Sequence, residues 1–183
     1  MRSPPTPPDP PMIDLARTFA ADRYLQQEID KGIESLASGP PQGVIVRVVR
    51  ILETVLDPCW AEHMAFQEEA LFPLITKSAD TTLEMRALLN ALRREHAEID
   101  ARQRDFLADI SRRASDGRTA SPLGPDFADL ITLRRGHRET EAALTPYIPA
   151  VLDDRERAAL DRWLASRGKP PFPLSLILTL WDS

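Results

Sequence analysis

The side chains best suited to chemistry are three histidines, each of which has a polar residue four positions later. The pairs are His63 with Gln67, His96 with Asp100, and His137 with Glu141. Residues four apart lie on the same face of a helix, with their Cβ atoms about 6 Å apart. Because a histidine and a carboxylate in that arrangement can bind one metal ion, His137 and Glu141 are predicted to be ligands.

All three histidines fall on the apolar stripes of predicted helices, and each lies on a different helix. An unpaired polar group in a protein core costs on the order of 1–3 kcal/mol, so each imidazole requires a partner. A hydrogen bond to a carboxylate or to the backbone would satisfy any one of them. Three together make a shared metal ion a real alternative, with His63, His96, His137 and Glu141 as its site, and the residues alone leave both interpretations open.

The positions of apolar residues predict the helices that carry these side chains. Apolar residues recur at spacings of three and four from Met12 to Ser166. The first predicted helix ends before the Gly-Pro-Pro stretch at 39–41. The second runs to Leu74 through a kink at Pro58, an interpretation that we favour over a new helix beginning there.

Three further helices follow along the chain. The third begins with a capping box of Thr81 and Glu84 and ends near Gly117, the fourth covers 130–148, and a short fifth covers roughly 153–166. Four long amphipathic helices predict an all-α fold, an up-down-up-down four-helix bundle with a short extra C-terminal helix and tail. In such bundles, metal sites are built from side chains on facing helices.

Length and composition indicate one domain with two flanking segments, since 183 residues with 43% hydrophobic content are typical of one globular domain. We predict a disordered, proline-rich arm over 1–11, the bundle over 12–150, and a C-terminal helix with an apolar tail over 151–183. The tail is expected either to fold back over the bundle or to form a homodimer contact, and the sequence does not choose between them.

Charge and cysteine content exclude several classes of partner. The net charge of −5 is unlike that of nucleic-acid-binding proteins, and the Arg-Arg pairs that begin at Arg93, Arg112 and Arg134 are expected on solvated helix faces. The one dense apolar run, 174–181, is far shorter than the roughly 20 residues that span a bilayer, so no membrane partner is expected. The single cysteine, Cys59, indicates no disulfide and a cytoplasmic location.

Three stretches resemble the motifs of hemerythrin-like (HHE cation-binding) domains. The stretch from His63 to Leu74 resembles their second-helix motif, Arg94 to Ile99 their third, and His137 to Glu141 their fourth. The resemblance covers about residues 14 to 150, with the order and spacing of the motifs intact. It implies a four-helix bundle around a non-haem di-iron centre, used for oxygen binding, for iron or oxygen sensing, or for nitric-oxide or iron-sulfur-repair chemistry.

Two positions depart from the family pattern, and both are glutamines. The first-helix histidine of the family maps onto Gln26, and the second-helix bridging glutamate maps onto Gln67. In the family each iron has its own half of the site, and both losses fall on the half that contains the second-helix histidine. The other half keeps His96, His137 and Glu141, a two-histidine, one-carboxylate set of the kind that binds a single Fe(II). The resemblance therefore implies iron, as one or two ions, with a mononuclear site favoured.

Four acidic side chains are candidates to replace the missing ligands. Asp22 lies one turn before the first glutamine, and Asp100 lies one turn after His96. Glu28 and Glu68 are close in sequence to the two glutamines, but the rotation of an α-helix turns them away from the positions that they would replace.

Three functions are compatible with these residues. The first is an iron protein that binds or senses a small ligand such as O2 or NO at the positions that the protein leaves open on the metal. The second is a degenerate, metal-free helical interaction or regulatory module whose histidines are merely hydrogen-bonded. The third is a peroxidase- or oxidase-like activity, for which no acid-base residue is identifiable. The sequence leaves open whether the chain is an enzyme.

Overall fold

The structure is a computed structural model that describes residues 15–37, 42–116 and 125–167. In order, the elements are α1 (Leu15–Ala37), α2 (Gln42–Ala65), a π-helical segment (Phe66–Leu71), α3 (Phe72–Lys77), α4 (Leu83–Ser115), α5 (Pro125–Leu144), a 3₁₀ turn (Thr145–Tyr147), α6 (Ile148–Val151) and α7 (Asp154–Arg167). No strand occurs in these ranges, so the all-α prediction is confirmed. The predicted proline-rich arm and apolar tail lie outside the described residues.

The four long helices, α1, α2, α4 and α5, form a closed set of contacts in which each packs against two others. Their apolar faces build two separate core clusters. One cluster is centred on α1 and the first part of α2, and the other on α3, α6 and the first part of α4. Within the described ranges, no helix is long and apolar enough to cross a membrane.

The histidines lie where one apolar cluster gives way to the other. On α2, Cys59 belongs to the first cluster and Phe66, just after His63, belongs to the second. Along α5, residues of the first cluster again come before the histidine and residues of the second come after it. Along α4 the second cluster comes first. The three helices therefore bring their histidines to one level of the structure.

The second predicted helix is correct up to its last turns. α2 continues through Pro58, as the continuous-helix interpretation required. At Phe66 the α-helical pattern gives way to a π-helical segment that ends at Leu71. Hydrogen bonds in a π-helix run from residue i to i+5, so each π turn takes up an additional residue and rotates the following side chains relative to an α-helix.

The capping prediction for α4 is wrong by one residue. The N-cap is Thr82, whose side-chain oxygen accepts a hydrogen bond of 3.2 Å from the backbone N–H of Met85. Thr81 instead donates its hydroxyl to the carbonyl of Ile75 at the end of α3. Because two adjacent threonines can each cap a helix, the sequence pattern alone does not distinguish them.

The short C-terminal helix α7 packs against the π-helical segment. The ring of Trp163 contacts the ring of Phe66 at a centroid distance of 5.8 Å. Arg167 donates to Glu69 at 2.6 Å and lies 3.7 Å from Glu62. These contacts connect α7 to the residues on both sides of His63.

We predict that Thr82→Ala lowers the free energy of unfolding by about 1 kcal/mol, because the N-cap hydrogen bond to Met85 is lost. Urea unfolding followed by circular dichroism measures the change. Thr82→Ser, which keeps the hydroxyl, should be close to the unmodified protein. An equal loss in both variants would contradict the assignment of Thr82 as the cap.

Candidate metal centre

Three helices bring the three histidines together in the interior. His63 on α2, His96 on α4 and His137 on α5 are 3%, 1% and 2% exposed. One ring nitrogen from each lies within 4.8 Å of one from each of the others. The imidazole rings therefore form a buried cluster at the level where the two apolar cores meet.

Each imidazole is held at Nδ1 by a carboxylate from a different part of the chain. The partners are Asp22 Oδ2 for His63 at 2.7 Å, Glu68 Oε1 for His96 at 2.6 Å, and Glu95 Oε2 for His137 at 3.1 Å. Glu95 is held in turn by the Thr140 hydroxyl, which donates to its Oε1 at 3.0 Å. This pairing of a carboxylate with the outer nitrogen of a histidine is the usual second shell of a metal-binding imidazole.

The carboxylates fix which nitrogen of each neutral imidazole carries the proton. An ionised carboxylate can only accept a hydrogen bond, so the proton must be on Nδ1. The Nε2 atom of each neutral ring then carries a lone pair. His96 Nε2 is buried and has no hydrogen-bond partner within the described residues. A buried lone pair without a partner fits a cation, which can accept its electrons.

The inner atoms are spaced like ligands of a single ion. His63 Nε2 lies 3.1 Å from His137 Nε2, and Glu141 Oε1 lies 3.4 Å and 3.7 Å from those two nitrogens. Ligands about 2.0–2.1 Å from one metal ion are separated by roughly 3.0–3.4 Å in octahedral or tetrahedral geometry. The His63 and His137 nitrogens match that separation, and Glu141 is close to it.

This arrangement differs from the half-site division that the sequence suggested. Two groups of ligand atoms lie within 4.8 Å in the described residues, His63 with His96 and His137, and Asp22 with His63 and Glu141. His63 belongs to both groups, whereas the sequence assigned it to the weakened half alone. Neither group joins His96 to Glu141. Because His63 and His137 are in direct contact, the three histidines form one set that comes from three helices.

The π-helical segment places two side chains in the centre. Gln67, which is 3% exposed, donates its amide N–H to Glu141 Oε1, and its own Oε1 has no partner within the described residues. Glu68, the next residue, contacts His96. Glu68 does not take the position of Gln67, as expected from its rotation around the helix, but its contact with the outer nitrogen of His96 was not predicted.

Three other candidate residues do not contact the histidines. Gln26 Oε1 accepts a hydrogen bond of 2.6 Å from Arg134, Asp100 pairs with Arg104 at 2.5 Å, and Glu28 pairs with Lys31 at 2.6 Å. The side chains of Asp100 and Arg104 are 37% and 65% exposed, so this pair lies on the solvated face of α4. Of the four acidic candidates, Asp22 and Glu68 reach the histidines, through Nδ1 rather than through the inner nitrogens.

Charge and burial shift the pKa values in the centre. Burial opposes the charged forms of both Asp22 and His63, but their mutual attraction outweighs it, so the pKa of Asp22 is lowered and that of His63 is raised. Burial, with the charges of His63, His137 and Arg93, lowers the pKa of His96 to about 2. His96 is therefore neutral at physiological pH, in the form that binds metal.

Sequence reasoning missed a buried arginine beside the centre. Arg134, expected on a solvated face, is 2% exposed and donates to Asp30, Gln26 and Gln103 at 2.5, 2.6 and 3.1 Å. The sequence signal that could have indicated its burial is its position three residues before His137, on the same face of α5. A periodic pattern does not reveal whether a charged residue on a stripe has buried partners.

Trp60 forms one wall of the histidine cluster. Its ring centroid lies 5.0 Å from that of His63, in a stacked arrangement, and 5.6 and 5.4 Å from those of His96 and His137. The Arg134 guanidinium carbon lies 5.4 Å from the Trp60 ring centroid. Trp60 is thus a buried core residue that contacts both the arginine and all three imidazoles.

Comparisons with known protein families, with curated proteins and with solved structures find no match to this chain. The metal-binding assignment therefore depends on the arrangement of the side chains themselves.

We predict that His96 in the metal-free protein stays neutral, with its proton on Nδ1, between about pH 5 and 8, because its pKa is lowered to about 2 and Glu68 accepts from Nδ1. Long-range ¹H–¹⁵N NMR spectra of the imidazoles distinguish the two tautomers and the cation. A protonated His96 near pH 6, or a proton on Nε2, would contradict this assignment.

Proposed function

We propose that this chain is a hemerythrin-like, non-haem iron protein that holds one iron ion and binds or senses a small ligand such as O2 or NO. The observation that carries the proposal is the set of three buried imidazoles, each held at Nδ1 by a carboxylate. In our assignment, His63, His96 and His137 bind the ion through Nε2, and Glu141 provides the carboxylate.

The up-down-up-down bundle is part of the same proposal. Along α2 and α5, residues of the first apolar cluster precede the histidine and residues of the second follow it. Along α4 the order is reversed, and on α1 Phe19 packs on the second cluster while Ile29 and Ile33 belong to the first. Alternating order supports alternating helix directions, and the ring of helix contacts supports a four-helix bundle.

The carboxylates around the histidines support a bound cation. Three imidazoles are neutral when they bind metal, so the negative charge comes from Glu141 beside the inner nitrogens and from Asp22, Glu68 and Glu95 at the outer ones. The inner nitrogens and Glu141 make one set of ligand atoms, which suits a single ion. Histidine and carboxylate ligands suit iron, manganese and zinc to different degrees, and the resemblance in the three histidine motifs favours iron.

Bound iron with an open coordination position would supply the site at which O2 or NO is held. The chain's contribution is a small cavity beside the centre, lined by Asp22, Gln67 and Glu141 together with apolar residues such as Phe72 and Leu92. Its volume of about 10 Å³ is close to the space that one water molecule requires. Such a cavity favours a diatomic ligand over a larger organic one.

We predict that protein purified without a histidine tag contains about one iron ion per chain. His137→Ala should abolish that binding, since one of three inner nitrogens is lost. Element analysis and the optical spectrum measure metal content. Metal at a hundred times its Kd should raise the melting temperature of the unmodified protein by roughly 5–10 °C and that of His137→Ala hardly at all.

Glu139→Gln, an exposed change two residues from His137, is the matched control and should bind metal normally. Full metal content in His137→Ala would exclude this histidine as a ligand. Absence of metal from the unmodified protein, even after incubation with ferrous iron, would exclude the proposed function.

A metal-free helical module is the second candidate function. The short contact of His63 Nε2 with His137 Nε2 favours it, because one shared proton would satisfy both atoms without metal. That proton leaves His96 Nε2 without a partner in the described residues, which is why we prefer the metal site. Turnover of peroxide by the iron-loaded protein would indicate an enzyme instead of a binding protein or sensor.

A further inference from the structure

We propose that Arg134 is the specificity-determining residue that limits this centre to one divalent ion. The inference rests on the proposed function. It concerns the second group of ligand atoms, which consists of Asp22, His63 and Glu141 and lies beside the three-histidine group. By residue type alone, this second group has the composition of another cation site.

Arg134 is fixed in position by contacts with three helices. On α1 it donates through Nε to Asp30 at 2.5 Å and through a terminal nitrogen to Gln26 at 2.6 Å. On α4 it donates to Gln103 at 3.1 Å, and on α2 it lies over the ring of Trp60. A buried arginine with several directed partners cannot swing away to make room for another cation.

One partner of Arg134 lies close in sequence to the second ligand group. Gln26, which accepts from the guanidinium, lies one helical turn after Asp22. Asp22 in turn contacts His63. The attraction of Asp22 and Glu141 acts on the guanidinium and partly offsets the effect of burial on its pKa, which is about 10. The guanidinium is therefore charged at neutral pH.

An ion among the histidines would take ligands away from the second group. In our assignment that ion binds His63 and Glu141, which are two of the three residues of the second group. Asp30 does not help, because Arg134 and Arg138 both pair with it. A second divalent cation would thus enter a buried region that already carries the first ion and a fixed guanidinium, where repulsion is weakly screened.

The test is metal stoichiometry, measured by equilibrium dialysis of the full chain against ferrous iron without oxygen, and against Zn²⁺ in parallel. We expect Arg134→Gln to raise the number of bound ions from about one to about two per chain, because one positive charge is removed and the amide keeps hydrogen bonds to its neighbours. Arg135→Gln is the matched control. Its side chain, 62% exposed, pairs with Glu34 at 3.4 Å, and this variant should stay at about one ion.

Arg134→Lys keeps the charge and should also stay at about one ion, which separates the effect of charge from that of packing. One ion in Arg134→Gln would overturn this inference and leave the proposed function intact. No ion in any of the proteins would overturn both. Should Arg134→Gln fail to fold, Arg134→Met, which also removes the positive charge, takes its place with the same expected result of about two ions. Two ions in the unmodified protein at saturation would overturn the inference without any variant.

Discussion

The centre of this protein depends on the fact that an ionised carboxylate accepts hydrogen bonds and cannot donate them. Asp22, Glu68 and Glu95 each contact the outer nitrogen of a histidine, so the proton is held on that side. Inner nitrogens with lone pairs must then share a small space away from water. Positive charge is required there, from a metal ion or from a proton, and the surrounding helices are arranged to satisfy that requirement.

The same requirement explains why polar residues cross the middle of an apolar structure. Two core clusters lie on either side of the polar level, and burial of their apolar side chains helps to offset the cost of burying it. Within that level, Trp60 contacts both the imidazole of His63 and the guanidinium of Arg134.

The helices and the histidines could be predicted from the sequence because both follow the period of an α-helix. His63, His96 and His137 lie on stripes of apolar residues, and burial of the stripes fixes their direction. Glu68 could not be placed, because a π turn changes the period without a distinct residue pattern. Gln26 was identified as a departure from a motif, but its partner could not be found, since the partner depends on packing between helices.

Arg134 shows a second limit of the same kind. Arg134 and Arg135 are adjacent and identical in type, yet one is buried with three partners and the other is largely exposed. The difference comes from where each falls around the axis of α5 relative to Asp30 and Gln103. Whether such an arginine is buried depends on its position around the helix and on the acceptors on other helices. The position can be inferred from the sequence, but the acceptors cannot.

The docking of α7 on the π-helical segment has a consequence for the cooperativity of the whole chain. A π turn has no intrinsic advantage over an α turn, so it persists where tertiary contacts hold it. Trp163 and Arg167 supply such contacts, to Phe66 and to Glu69. A helix that contributes no residue to the histidine cluster therefore helps to hold the segment that carries Gln67 and Glu68. Local unfolding that releases α7 removes the support on which the placement of Gln67 and Glu68 depends, so the order of the interior is linked to the order of a peripheral helix.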